Sequence, residues 1–325
     1  MSTPTRRFTL MGLLALAAIG LPAQAQPMPP LIKLVVPYPP GGSVDTLARL
    51  LQQPLQEQLK TTVVVDNRPG AGGRIAASQL KRDAADGSVV LIAPNALTTI
   101  QSLVYAEKID YQVLNDFQPV ARLAAYPLSL AVPASSPVKT FPDLQAQLRQ
   151  NPSAALYGTS GAGGLAHFLG VAFGKSAGLN WSHVPFKGGA PLITDLVGGH
   201  IPAGIDTIID QIEQHRAGKI RIVGTFSQRR YALAPEVPTL AEQGASIGPV
   251  DGWFGAFVPA KTPKDTVARL DQAMGKALAM PELKAKLDKL LIETAYLPSA
   301  PFTQLQAAEL QQWAPVVRDS GFKPE

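Results

Sequence analysis

Short apolar runs alternate with amphipathic stretches along most of the chain. "LIKLVV" (residues 31–36) is a continuous apolar run of strand length. After it, Val44, Leu47, Ala48, Leu51, Leu55 and Leu59 recur at helical spacing, which predicts a helix from Val44 to about Lys60 with a kink at Pro54. The strand "TTVVVD", the turn "NRPGAGG", a helix near Arg74 to Lys81, a "DG" turn and the strand "SVVLIAP" follow. This β-α-β-α-β order predicts a parallel sheet with helices on its faces.

A second alternating series starts near Ala131 with "LSLAVPA" and continues through the helix "FPDLQAQLRQ" and the strand "AALYGTS". Next come a glycine turn, a helix from about Gly164 to Ala177, the strand "WSHVPF" and a helix across Leu192 to Val197. The strand "IPAGID", a helix near Ile208 to His215 and the strand "KIRIVGTF" complete it. Pro235 to Gly252 lacks periodicity and reads as a connection. "WFGAFVPA" is strand-like, and the sequence after it predicts two helices broken at Pro281, with Thr262 as an N-cap.

The first residues change the picture of where the chain works. Arg6 and Arg7 precede an apolar stretch from Leu10 to Leu21, and Ala23-Gln24-Ala25 has the small residues of a cleavage site, so residues 1–25 are expected to be an export signal. The paired arginines leave the secretory and twin-arginine routes both open. With no cysteine among 325 residues, disulfides, thiolate metal sites and cysteine nucleophiles are excluded. Removing Arg6 and Arg7 from the 29 basic residues leaves 27 against 24 acidic ones, a net charge of +3. No basic stripe interleaved with aromatics is present, which argues against nucleic acid as a partner.

Candidate chemistry concentrates in two glycine-rich strand-to-helix turns. In "VVPYPPGGSVDTLARLL", Pro37, Pro39 and Pro40 stiffen the backbone while Gly41 and Gly42 permit close approach to bare amides at a helix start. Such N–H groups lie at the positive end of the helix dipole and suit a carboxylate. Ser43 is expected as N-cap or hydroxyl donor, and Asp45 would repel a bound carboxylate unless something intervenes. The second turn, "YGTSGAGGLAHFLG", offers Ser160, Gly161, Gly163 and His167. Asn95 and Asp206 follow strands and are expected at the same crevice, Asp206 also serving the next helix as a possible cap.

Enzyme readings compete at the second turn. A hydrolase elbow around Ser160 has Gly158 upstream but Ala162 where the downstream glycine belongs. "GAGGLA" satisfies the dinucleotide fingerprint, yet the following strand ends at Lys187 and Gly188 without a ribose-binding acid; an NADP-like cofactor using Lys187 stays open. His167, His183, His200 and His215 show no metal-ligand spacing.

Taken together, "PYPPGGSVDTLAR", "VVVDNRPGAGG", "YGTSGAGGLAHFLG" and "VPFKGGAPLITDLVGGHIPAGID" resemble, in order and spacing, the Bug-type solute-binding proteins of tripartite tricarboxylate transporters. The resemblance covers nearly the whole chain after the signal. It implies a periplasmic receptor and not an enzyme, with an α/β fold of two doubly wound lobes of periplasmic-binding-protein type and a ligand cleft between them. It implies lobe one at residues 31–126 and 252–325, lobe two at 127–251, a small organic carboxylate as ligand, no cofactor, and a membrane permease or a sensor protein as partner. The ligand-binding positions it implies are Tyr38, Gly41, Gly42, Ser43 and Asp45, then Ser160, Gly161, Gly163 and His167. Two departures from the family pattern are Asp66, where glutamate is common, and Phe186, where tyrosine is frequent.

Overall fold

The computed structural model describes residues 27–152, 155–246, 248 and 250–324. The export-signal reading therefore lies outside the described residues.

Strand β1 (Leu31–Val36) pairs in parallel with β2 (Thr62–Asn67) on one side and β3 (Val89–Pro94) on the other. Helices α1 (Ser43–Leu59) and α2 (Arg74–Arg82) make the crossovers. The face of α1 predicted to be apolar is buried, and the helix passes through Pro54 without ending. It stops at Lys60, which is left-handed at φ 52°. A π-helical turn over Ala96–Gln101 leads into α3 (Ser102–Val104), and α4 (Val113–Asp116) follows.

The largest departure from the sequence pattern is β4 (Phe117–Pro133), a strand of 17 residues of which only the last part was expected. Its Pro119 and Pro127 read as strand breakers, because proline cannot donate to a ladder. The strand absorbs Pro119 by shifting register between it and Ala121, shifts again between Arg122 and Ala124, and meets Pro127 where it changes partners. Up to Pro127 it pairs with β9 (Asp251–Pro259), and β10 (Glu293–Pro298) lies on its other edge. From Leu128 onward it exchanges these partners for β7 (Gly204–Thr207) and β8 (Ile220–Thr225).

Between those pairings run α5 (Phe141–Gln150), β5 (Leu156–Thr159), α6 (Leu165–Ala177), β6 (Ser182–Pro185), α7 (Gly189–Gly198) and α8 (Ile208–Arg216). Thr140 and Asp143 close α5 with a reciprocal capping box. β5 is parallel to both β6 and β7, so this second sheet repeats the α/β winding of the first.

The chain returns through the expected connection and inserts β9 antiparallel between β3 and β4. Helices α9 (Lys264–Leu278) and α10 (Pro281–Lys289) follow, with Pro281 in the first turn of α10, where its missing N–H costs nothing. Thr262 is not the cap of α9: its hydroxyl donates to the Pro259 carbonyl at 2.7 Å, and Pro263 takes the cap position. The last helix, α11 (Ser299–Asp319), belongs to both cores. Its Phe302 packs with Trp253 and Phe257 of β9, whereas Trp313 and Val317 join Phe168 and Phe173 of α6.

Candidate binding cleft

The carboxyl ends of β1, β3 and β7 open onto one cavity of about 500 Å³. Tyr38, Gly41, Gly42, Ser43, Val44 and Asp45 line it from the β1–α1 turn, with Pro94 and Ala96 beside β3. Thr207, Ile209 and Asp210 face them from the β7–α8 turn, while Tyr126 and Phe254 supply an aromatic wall with ring centroids 4.8 Å apart. A crevice beyond strand ends is the usual ligand position in such sheets.

The proline-braced turn explains the anion-seeking side. Gly41 is left-handed at φ 98°, which turns the chain into α1. Gly42, not Ser43, is the N-cap, and no side chain caps the helix. The first helical bond joins the Thr46 N–H to the Gly42 carbonyl at 2.9 Å. The N–H groups of residues 42–45 consequently lack partners among the described residues, at the positive end of a helix of 17 residues.

Asp45 does not simply repel an anion there. Its carboxylate is buried and accepts from the Gly41 N–H, the Arg49 Nε and the Asn67 Nδ2, each at 2.9 Å. Burial alone would raise its pKa, but the Arg49, Gly41 and Asn67 hydrogen bonds and the Arg49 charge outweigh that and hold it below the usual value. Asp45 thus braces the turn and takes Gly41's amide for itself. Asn67 also donates to the Tyr38 carbonyl at 3.1 Å, tying the turn to β2.

The second-lobe positions divide. Ser160 donates its hydroxyl to Asp206 Oδ1 at 3.0 Å, and the Thr207 N–H donates to the same oxygen at 2.9 Å. Asp206 is not the cap of α8: Thr207 accepts from the Asp210 N–H and fills that role. Asp206 Oδ2 is buried and has no partner among the described residues, and a Cβ on Gly189, at the start of α7, would lie 3.4 Å from it. Burial, with the charge of Asp210 adding to it, pushes the Asp206 carboxyl up to about 7, against the hydrogen bonds from Thr207 and Ser160.

A raised carboxyl pKa means that the folded chain keeps a proton which the unfolded chain loses above its ordinary value near 3.8. Stability should accordingly fall as pH rises from about 4 to 7 and then level off. The slope is at most ~1.4 kcal/mol per pH unit. Denaturant midpoints measured across that range should decline in the wild type and stay flatter in Asp206→Asn.

Gly163 and His167 lie away from the cleft cavity. The Gly163 N–H donates to His167 Nδ1 at 3.1 Å, and a Cβ on Gly163 would lie 3.0 Å from the Phe322 ring. The His167 ring is buried, stacks on His183 at 3.9 Å and meets Phe322 edge-on. Burial pushes His167 down to about 4 and His183 to about 3, the second also through its neighbour. Gly161 likewise is absent from the cavity wall, and its carbonyl accepts from the Thr159 hydroxyl at 2.8 Å. Asn95 is buried, with Nδ2 on the Asp251 carbonyl at 3.1 Å and Oδ1 on the Trp253 N–H at 3.3 Å. It ties β3 to β9 while its neighbours Pro94 and Ala96 face the cavity.

The same geometry bears on the enzyme readings. Ser160 engages a carboxylate, not an imidazole, and His183 Nε2 is joined to the Thr159 hydroxyl at 2.8 Å. The close backbone approach that "GAGGLA" would offer a pyrophosphate at Gly163 is occupied by the chain's own Phe322. Among the described residues, no helix is long and apolar enough to cross a membrane.

Residues 47–322 match the family model described as "Tripartite tricarboxylate transporter family receptor". The chain is 32% identical to Protein BugT of Bordetella pertussis over 324 residues, covering 98% of each. It is also similar to the structure of Rpa4515 from R. palustris with adipate, at 31% identity and a TM-score of 0.77, covering 91% of this chain and 98% of that one. MatC (Rpa3494) from Rhodopseudomonas palustris, with bound malate, aligns at 27% identity and a TM-score of 0.72, covering 88% and 98%. The chain therefore belongs to the tripartite tricarboxylate transporter family of receptors, the solute-binding proteins of Bug type.

Proposed function

We propose that this receptor works in the periplasm after removal of residues 1–25, captures a small organic carboxylate in the cleft, and delivers it to the permease of a tripartite tricarboxylate transporter. Lobe one is residues 31–126 and 252–325, and lobe two is 127–251. The change of β4 partners between Pro127 and Leu128 supports the first boundary. The observation that carries the reading is the row of unpartnered N–H groups at residues 42–45, facing a cavity of about 500 Å³ with no basic side chain in its wall. Amides at a helix start bind a carboxylate without a formal cation. The volume suits a ligand of adipate or malate size, and those are the molecules held by the two similar structures.

Tyr38, Gly42 and Ser43 take the carboxylate end in this reading. Thr207 and Asp210 face the remainder of the ligand, and Asp206 and Ser160 support them from behind. A thermal-shift screen of dicarboxylates, tricarboxylates and aromatic acids, with NAD and NADP included, tests the assignment. Ligand at about 100 times its Kd adds roughly 2.7 kcal/mol of stability. A carboxylate should raise Tm and be recovered unchanged; stabilisation by a dinucleotide alone would refute the reading.

A further inference from the structure

A second cavity, of about 260 Å³, shares Tyr126 with the cleft. Its walls come from both passages of the chain between the two sheets: Tyr126 and Pro127 of β4, and the segment from Ser227 to Tyr231 after β8. Asp251, Glu293 and Arg122 complete the charged lining.

Most of those charges already have partners. Arg229 pairs with Glu293 at 2.6 Å, and Arg230 grips Glu242 through Nε and Nη2. Asp251 accepts from the Ser227 hydroxyl. Arg122 is the exception: half-buried in the wall, it donates Nε to the Ala295 carbonyl at 2.9 Å, and among the described residues no carboxylate forms an ion pair with it. Its two terminal nitrogens have no hydrogen-bond acceptor among the described residues. Asp251, Glu309 and Glu293 act on Arg122 through their charges, against the burial that lowers its pKa, but none of them forms a hydrogen-bonded ion pair with it.

A half-buried guanidinium whose terminal N–H groups lack an acceptor is costly, and its planar fork matches an oxyanion in two-point geometry. We propose that this hinge cavity is a second binding site, holding one small oxyanion, such as inorganic phosphate or a short carboxylate, on the terminal nitrogens of Arg122. The cavity is about half the volume of the cleft, which favours a small anion with its waters over the transported ligand.

Calorimetric titration of the purified protein with inorganic phosphate and, separately, acetate tests this in a buffer free of other oxyanions. One of the two should bind saturably at one site, should bind equally well to Gly42→Trp, whose cleft is filled, and should bind at least about tenfold more weakly to Arg122→Gln. The tighter of the two identifies the class. Absence of saturable binding in the wild type, loss of binding in Gly42→Trp, or undiminished binding in Arg122→Gln would each overturn the proposal. If Arg122→Gln does not fold, a wild-type crystal soaked in tungstate decides: density against the Arg122 fork supports the site, and density only elsewhere removes it. Neither result alters the test of the cleft, which uses cargo carboxylates.

Discussion

Gly42→Trp is expected to weaken carboxylate binding at least about 100-fold, equivalent to roughly 2.7 kcal/mol, with little change in Tm. The residue has φ −78° and ψ 171°, a conformation open to any side chain. A Cβ there meets no atom within 4 Å and the residue lines the cleft, so a bulky group spares the core and is expected to obstruct the cavity. The substitution therefore separates binding from folding. Gly41→Ala would not do so: its Cβ also meets nothing, but φ 98° is strained for alanine and the turn itself would shift. Calorimetry and a thermal melt of Gly42→Trp beside the wild type check both halves of the expectation.

Asp45→Ala is expected to cost about 2–3 kcal/mol of stability and to weaken binding as well. It strands the Gly41 N–H and the Asn67 amide, the two donors that fix the turn from inside. Arg49 is half exposed, so loss of its ion pair contributes little by itself. The pH dependence follows from the lowered pKa of Asp45. Its contribution is present above the ordinary carboxylate value and disappears as pH falls through the lower folded value. Urea midpoints of wild type and Asp45→Asn should thus differ at neutral pH and converge in strong acid. Equal midpoints at neutral pH would show that Asp45 is not the brace.

Local pattern carried the first lobe's elements well, because β1, α1, β2, α2 and β3 bury faces whose period is visible over a few residues. It failed at β4, where Pro119 and Pro127 obey the rule against proline in strands while two register shifts and a change of partners accommodate them. The anion-binding turn was legible in "PYPPGGSVD", since stiff proline, permissive glycine and a helix start are all local. What Asp45 does there was not, because its partner Asn67 is 22 residues away.

The same distance limit governed the second turn. Gly163 and His167 look like the first turn's equivalents in sequence, but the end of the chain, 159 residues beyond Gly163, lays Phe322 over them. Asp206 was expected to lean toward capping α8, and the neighbouring Thr207 does so instead, which frees the carboxyl to meet Ser160. Tyr126 and Phe254 escaped notice because an aromatic wall forms only when β4 and β9 pair.

The cleft is proposed to hold a ligand carboxylate on amides at the start of α1. A crystal structure with the carboxylate that gives the largest thermal shift tests it most directly. A carboxylate oxygen is expected within hydrogen-bond distance of N–H groups among Gly42, Ser43 and Val44, with Tyr126 and Phe254 against the ligand body. A carboxylate bound in the cleft without contact to those amides, or bound only outside it, would rule out the helix-start amides as the anion site.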